Sequence, residues 1–449
     1  MRFKPKIIFK SLKENWEFLL LFFIFILAVI LRIKNWSNFH LYPDAYKYLL
    51  AVKGDGRWWR ISFTGLIYLF NLVFKNPEMS GHLVSFFAGI AAIALVYFVL
   101  KKFISSGAGL FGALLLAISF SHVVFSGFIL PETTAICFYL IALLFVDNPF
   151  FSGLFIFISA LAREEYILLF LPTLILIWFR SKEKRKIIPF LVWLVPVFFL
   201  LFFGQPYRQA FSLGLHFKRG LTSFVTDFAL TNFVVFLLGV AGIFTFIFNK
   251  KYKPYIIFSI VYVAILLLVY LTQNPADWRY NIHLILPLLI TAGLLFDLVI
   301  HRLRTERIFE CIIIVLLISL LIGQTILSFS GLNNLPNQSY ETISALHVKQ
   351  IVLENSLQPN RVLASFAEAY QYYLGLPAEK INSSTQISDH ELLIVDQPMR
   401  DLEGENLQKL KQNYNLRKIN EFYVGEPYYN SSEIMPEREP VEIYVGEGE

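Results

Sequence analysis

The chain has 449 residues, 56% of them hydrophobic and 46 of them Phe, and a net charge of +6; its mean hydropathy is +0.58. No water-soluble core needs that much apolar surface, so a soluble globular protein is excluded. The basic excess sits in residues 1–327, with 30 Lys+Arg against 15 Asp+Glu, whereas residues 328–449 carry 9 against 18; it follows membrane topology and is no sign of a nucleic-acid partner.

The apolar residues fall in long blocks. In hydrocarbon every backbone polar group must be paired inside its own segment, so the blocks are predicted to be helices of a polytopic membrane protein. In chain order about eleven spans are expected, near 17–33, 82–100, 107–124, 131–146, 150–162, 165–179, 187–203, 230–248, 255–271, 282–300 and 308–327. The basic N-terminus runs into the first block without a small-residue cleavage signal, the pattern of an uncleaved signal anchor. Two shorter stretches, 45–53 and 61–74, read as helices lying in the outer interface, with Tyr46, Tyr48, Trp58, Trp59 and Tyr68 as their interfacial anchors. Residues 150–179 read as a hairpin with Arg163, Glu164 and Glu165 at its turn.

With those two choices every basic cluster falls on one side, as the positive-inside rule demands: the N-terminal segment, Lys101-Lys102, 180–186, 249–253 and 301–307. Arg32 and Lys34 are exceptions, read as snorkelling from the end of the first span. The expected topology is a multi-pass plasma-membrane protein with a cytoplasmic N-terminus. Residues 1–327 form the membrane module, with a first outer loop at 34–81, and residues 328–449 form a small extracytoplasmic domain. In that tail SYETISALHVKQIVLENS and LEGENLQKLKQNYN read as helices, NRVLASF as a strand entering a helix, and HELLIVDQ, LRKINEFYV and PVEIYVG as strands, so an α/β domain is predicted. The two cysteines, Cys137 and Cys311, lie in apolar runs and exclude a disulfide framework in the tail.

The outer edge of the membrane module then collects Asp44, Asp55, Arg57, Arg60, Glu132, Arg163, Glu164, Glu165, Arg208, Arg219, Asp277 and Arg279. Ionisable groups near membrane depth are costly and mark function. A carboxylate can take a proton from an attacking hydroxyl. Arginines can hold a departing phosphate in a bidentate grip. Apolar grooves can hold a polyprenyl tail. Together these are the parts for moving a sugar from a lipid phosphate to an acceptor, through a transition state with oxocarbenium character.

The order of short motifs carries a resemblance. An acidic residue follows the first span in LYPDAYKYLLAVKGDG, then come TGLIYLFNLVF, EMSGHLVSFFAGIAAIALVYFVLKKF, GALLLAISFSHVVFSGFILPETTAICFYLIALLF, ALAREEYILLFLP and DWRYNIHLILPLL. Over roughly 15–300 this layout resembles the GT-C glycosyltransferases, in the branch containing the protein O-mannosyltransferases and the lipid A aminoarabinose transferase. The resemblance implies an inverting transfer of a monosaccharide from a polyprenyl- or dolichyl-phosphate donor to a protein, glycan or lipid acceptor on the extracytoplasmic face. It implies that Asp44 is the catalytic base and Glu132 the second acidic position. It points to Arg163 and Arg279 as ligands of the lipid phosphate, with Arg57, Arg60 and Arg208 behind them. The departures are real: Asp44 lacks the adjacent acidic partner usual in mannosyltransferases, Asp55 lying eleven residues on. The oligosaccharyltransferase motif Trp-Trp-Asp-Tyr-Gly is absent, because Trp58-Trp59 runs into Arg60-Ile61, which disfavours transfer of a preassembled glycan.

Plainer readings stand beside these. Asp44 after Pro43 suits a helix N-cap, Asp55 in GDG a turn, and Glu132 a first-turn carboxylate favoured by the helix dipole. Arg163 suits a solvated turn, and Arg279 between Trp278 and Tyr280 an interfacial anchor. His283 and His301 have no second ligand at helical spacing, so the sequence marks no metal site, though a divalent metal stays open. Two other classes compete: a transporter or lipid flippase, for which no internal repeat is visible, and a non-catalytic scaffold subunit.

Overall fold

The structure, a computed structural model, describes residues 5–36, 43–56, 58–181, 184–203, 226, 228–272, 282–303, 307–333, 340–365, 367–380, 385–388, 390–395, 408, 414, 416–422 and 441–446. In chain order its helices are α1 (Pro5–Trp36), α2 (Pro43–Lys53), α3 (Ile61–Phe74), α4 (Pro77–Phe103), α5 (Ser106–Ile118), α6 (Phe120–Phe125), α7 (Glu132–Leu144) and α8 (Pro149–Ala162). A 3-10 helix, Glu164–Leu169, leads into α9 (Phe170–Arg180), followed by α10 (Ile188–Leu191), α11 (Leu194–Phe203), α12 (Phe233–Phe246), α13 (Lys253–Thr272), α14 (Ile282–Leu303) and α15 (Arg307–Asn333). The last elements are α16 (Tyr340–Glu354), β1 (Arg361–Leu363), α17 (Ala367–Leu374), β2 (Ala378–Glu379), β3 (Glu391–Val395), β4 (Leu416–Phe422) and β5 (Val441–Gly446).

The chain folds as two compact units. One comprises Met1–Ser37 and Arg60–Leu335, the other Asn38–Trp59 and Pro336–Glu449. The sequence reading placed all of 34–81 in an outer loop of the first; in the structure residues 38–59 group with the C-terminal segment.

The first unit is a helical bundle. Asn76 caps α4, its Oδ1 accepting from the Met79 amide at 3.0 Å with Pro77 at the first position, and Ser105 caps α5 through the Ala108 amide at 3.3 Å. Trp16–Lys34, Pro77–Phe103 and Ile282–His301 are long and apolar enough to cross a bilayer by length and composition, which makes this an integral membrane protein. Several other apolar helices are shorter, with 13 residues in α5 and α7 and 14 in α3, α8 and α12, partly because expected spans are broken. The expected span 107–124 divides at Ser119 (φ −65°, ψ 120°) into α5 and α6, and 187–203 divides into α10 and α11. Small residues set the closest packing. A Cβ on Gly242 of α12 would collide with the Thr291 backbone of α14, and one turn away Thr291 Oγ1 donates to the Gly239 carbonyl at 2.8 Å.

The second unit holds a five-stranded sheet in the order β2-β1-β3-β5-β4. β1 runs parallel to β2 and β3; β5 is antiparallel to β3 and β4, with a register break between Lys418 and Asn420. All five residues of β3 are buried, and Leu363, Ile387, Leu393 and Val395 form the core under one face. Arg361 ties the sheet together, donating to Glu379 and Glu391 at 2.9 Å each. The α/β pattern expected of the tail is present, except that the expected helix at 402–415 falls largely outside the described residues. Helix α2 packs in this unit on α17: Tyr46 lies 5.7 Å from the Tyr372 ring and 5.8 Å from Tyr373, with Lys53 Nζ 3.6 Å above Tyr372. Tyr46 and Tyr48 are fully buried. They are therefore core aromatics of this unit, where the sequence reading made them interfacial anchors.

Candidate functional site

The bundle buries a cluster of five charges. Pro131 precedes α7, whose first residue is Glu132; its carboxylate occupies the first turn, where the helix dipole favours it. Helix α8 stops at Ala162 because Arg163 adopts an extended conformation (φ −151°, ψ 118°), and the 3-10 turn that follows presents Glu164 and Glu165. Arg60 precedes α3 in the left-handed region (φ 53°, ψ 61°), an unusual setting for a long side chain.

These elements bring the charges together. Arg163 Nη1 donates to Glu132 Oε1, and Nη2 donates to Glu165 Oε1 at 3.2 Å. Arg60 forks onto Glu164, with Nη2 3.3 Å from Oε1 and Nε 3.3 Å from Oε2. Exposure is 0% for Glu132 and Arg163, 3% for Glu165, 5% for Arg60 and 6% for Glu164. In so dry a place each contact is electrostatically strong and each lost partner expensive.

A polar aromatic layer adjoins it in sequence and space. Tyr166, next to Glu165, pairs its hydroxyl with His283 Nδ1 at 2.7 Å, and Tyr139 pairs with Thr173 at 2.8 Å. The rings of Tyr139 and Tyr166, and of Tyr139 and Tyr262, meet edge to face at 5.7 Å. Sequence reasoning set His283 aside as structural and left these tyrosines unremarked, since buried tyrosines in apolar runs carry no periodic signal of their own.

A third buried cation, Arg32, differs from the sequence expectation. Arg32 is fully buried and does not snorkel: Nη1 donates to the Ala28 carbonyl at 2.9 Å and Nη2 to His122 Nδ1 at 2.7 Å. Beside His122 in the chain, Ser119 and Ser121 bond Asn232, at 2.5 and 2.9 Å, and Ser328 donates to the Ile118 carbonyl at 2.7 Å. These bonds hold the break between α5 and α6, where chain polarity must be satisfied without water.

The other expected site residues fall elsewhere. Asp44 belongs to the second unit, in the first turn of α2 and one residue inside its start, so it is a first-turn carboxylate and no N-cap. Lys47 Nζ donates to Asp44 Oδ1 at 2.9 Å and stands 5.1 Å from the Trp59 ring. Asp55 is exposed just after α2. Arg57, Arg208, Arg219, Asp277 and Arg279 lie outside the described residues. Arg163 and Arg60, named as phosphate ligands, have their guanidinium groups committed to glutamates inside the bundle. Among the described residues no group of three or more His, Cys, Asp or Glu side chains is arranged to hold a metal ion.

No family model matches the sequence, and no curated protein does. Solved structures do match. ArnT from Cupriavidus metallidurans, bound to undecaprenyl phosphate, aligns over 96% of this chain and 98% of its own with a TM-score of 0.62 and 11% identity. The archaeal oligosaccharyltransferase AglB from Archaeoglobus fulgidus, in complex with an inhibitory peptide and a dolichol-phosphate, aligns over 96% of this chain and 76% of its own, with a TM-score of 0.59 and 13% identity. At such identities the likeness is one of fold: the chain has the GT-C fold that its motifs led us to expect.

Proposed function

We propose that this protein is a membrane glycosyltransferase that moves a monosaccharide from a polyprenyl- or dolichyl-phosphate donor to an acceptor on the extracytoplasmic face, with inversion at the anomeric carbon. The observation that carries the reading is the end-to-end likeness, 98% of its length, to a structure holding undecaprenyl phosphate. Asp44 takes the proton from the acceptor hydroxyl as its oxygen bonds to the anomeric carbon. The bond from that carbon to the phosphate oxygen breaks, and the lipid phosphate departs with the electron pair. Because Arg60 and Arg163 are held by Glu164, Glu132 and Glu165, the phosphate contacts fall to Arg57, Arg208 and Arg279. Glu132 takes the role of the second acidic position.

The test is a transfer assay on the full chain in detergent micelles, with a panel of radiolabelled undecaprenyl- and dolichyl-phosphate monosaccharides. The wild type releases free lipid phosphate from at least one donor. Asp44→Asn retains binding of that donor and loses transfer by several orders of magnitude; full activity in Asp44→Asn removes the base.

A further inference from the structure

Helix α2 has two faces with different partners. Tyr46 and Lys53 lie on one and meet Tyr372 of α17. Asp44, Lys47 and Tyr48, spaced three and four residues apart, share the other. The helix ends where Gly54 turns left-handed (φ 93°) and the Asp55 amide donates back to the Leu50 carbonyl at 3.0 Å. The following residues return along the helix, and Trp59 comes back to the Asp44 face. Its ring lies 6.2 Å from that of Tyr48, and Lys47 Nζ stands 5.1 Å from it.

On an open surface a lysine one turn from an aspartate samples many rotamers, and the pair holds nothing in place. Lys47 is not so placed. Its side chain is 33% exposed and that of Asp44 15%. The ammonium is seated between the Asp44 carboxylate at 2.9 Å and the indole of Trp59. The indole is fixed in turn against Tyr48, which is fully buried. A chain of contacts therefore runs from the interior of this unit to Asp44 Oδ1. A first-turn carboxylate is attracted toward the helix N-terminus; the bond from Lys47 holds Oδ1 on the side of the next turn.

We propose that Lys47 is a positioning residue for the glycosyl transfer inferred above. It fixes the plane of the Asp44 carboxylate for the approaching acceptor hydroxyl, and Trp59 fixes Lys47. The proposal rests on Asp44 being the base. Lys47 touches no reacting atom. It removes the rotational search that would otherwise precede proton transfer, so it acts on kcat and not on donor binding.

Steady-state release of lipid phosphate by the full chain in detergent micelles tests this, with the donor the wild type accepts from the panel of undecaprenyl- and dolichyl-phosphate monosaccharides. Lys47→Met lowers kcat about 10- to 100-fold and leaves the donor KM within about twofold. Lys47→Arg keeps a cation on the indole and recovers most of that loss. Both variants keep the wild-type thermal midpoint. Trp59→Leu lowers kcat by itself and adds nothing in the Lys47→Met background, because both act through one carboxylate. The proposal is overturned if Lys47→Met keeps the wild-type kcat, if its loss lies in KM, if kcat falls only together with the thermal midpoint, if Lys47→Arg recovers nothing, or if the Lys47 and Trp59 losses multiply. A wild type that uses no donor, or an Asp44→Asn variant as active as the wild type, removes the base and this proposal with it. An inactive Asp44→Asn beside an unimpaired Lys47→Met removes this proposal alone.

Discussion

Replacing Arg163 by Met isolates the energetics of the buried cluster. Arg163 is 0% exposed and holds Glu132 and Glu165 together. With the cation gone, two carboxylates lose the partner they share in a dry interior, and removing one partner of a buried ion pair costs roughly 3–5 kcal/mol. Against a total stability of about 5–15 kcal/mol that is a large loss. Denaturation in detergent micelles at neutral pH, followed by tryptophan fluorescence, measures it. Arg163→Met loses about 4 kcal/mol, and adding Glu132→Gln recovers part of that loss. A loss under about 1 kcal/mol, or no recovery in the double variant, refutes the reasoning.

Asp147, in the turn between α7 and α8, offers the contrast. Burial raises its carboxyl pKa, but hydrogen bonds from Lys102 and Arg180 outweigh that and hold it below the ordinary value, so the trio stabilises at neutral pH and loses that as pH falls. Because the Asp147 side chain is 53% exposed, Asp147→Asn costs under about 1 kcal/mol in the same denaturation assay. Gly242→Ala drives a methyl group into the Thr291 backbone and costs about 1–3 kcal/mol, read as a lower denaturation midpoint. Lys47→Met removes the cation 2.9 Å from Asp44; transfer activity at neutral pH falls in that variant and is kept in Lys47→Arg, which restores the cation.

The sequence displays some of this directly. The apolar blocks mark helices at 82–100, 150–162, 255–271 and 282–300, and the structure has α4, α8, α13 and α14 there, because hydropathy over a helix length is a local property. Arg163, Glu164 and Glu165 stood out for the same reason, as charges interrupting an apolar run. Their partners did not: Arg60 meets Glu164 across 104 residues and Arg163 meets Glu132 across 31, and nothing in a single sequence reports such pairings. The helix break at Ser119 has no Pro or Gly to announce it; it exists because Asn232 reaches Ser119 and Ser121. Tyr46 suited a membrane interface by type, and only its contacts with Tyr372 and Tyr373, far along the chain, place it in a folded core.

The division of the second unit into two stretches of chain, Asn38–Trp59 and Pro336–Glu449, has a consequence for how the protein is made. Tyr46 packs on Tyr372, 326 residues further along. At the usual pace of about 5–20 residues per second, roughly 16–65 s pass between the synthesis of α2 and the arrival of its partner helix. For that interval the bundle must be inserted while an aromatic helix near its start remains uncovered. A domain that α2 begins is completed only by a stretch of chain made after the whole bundle.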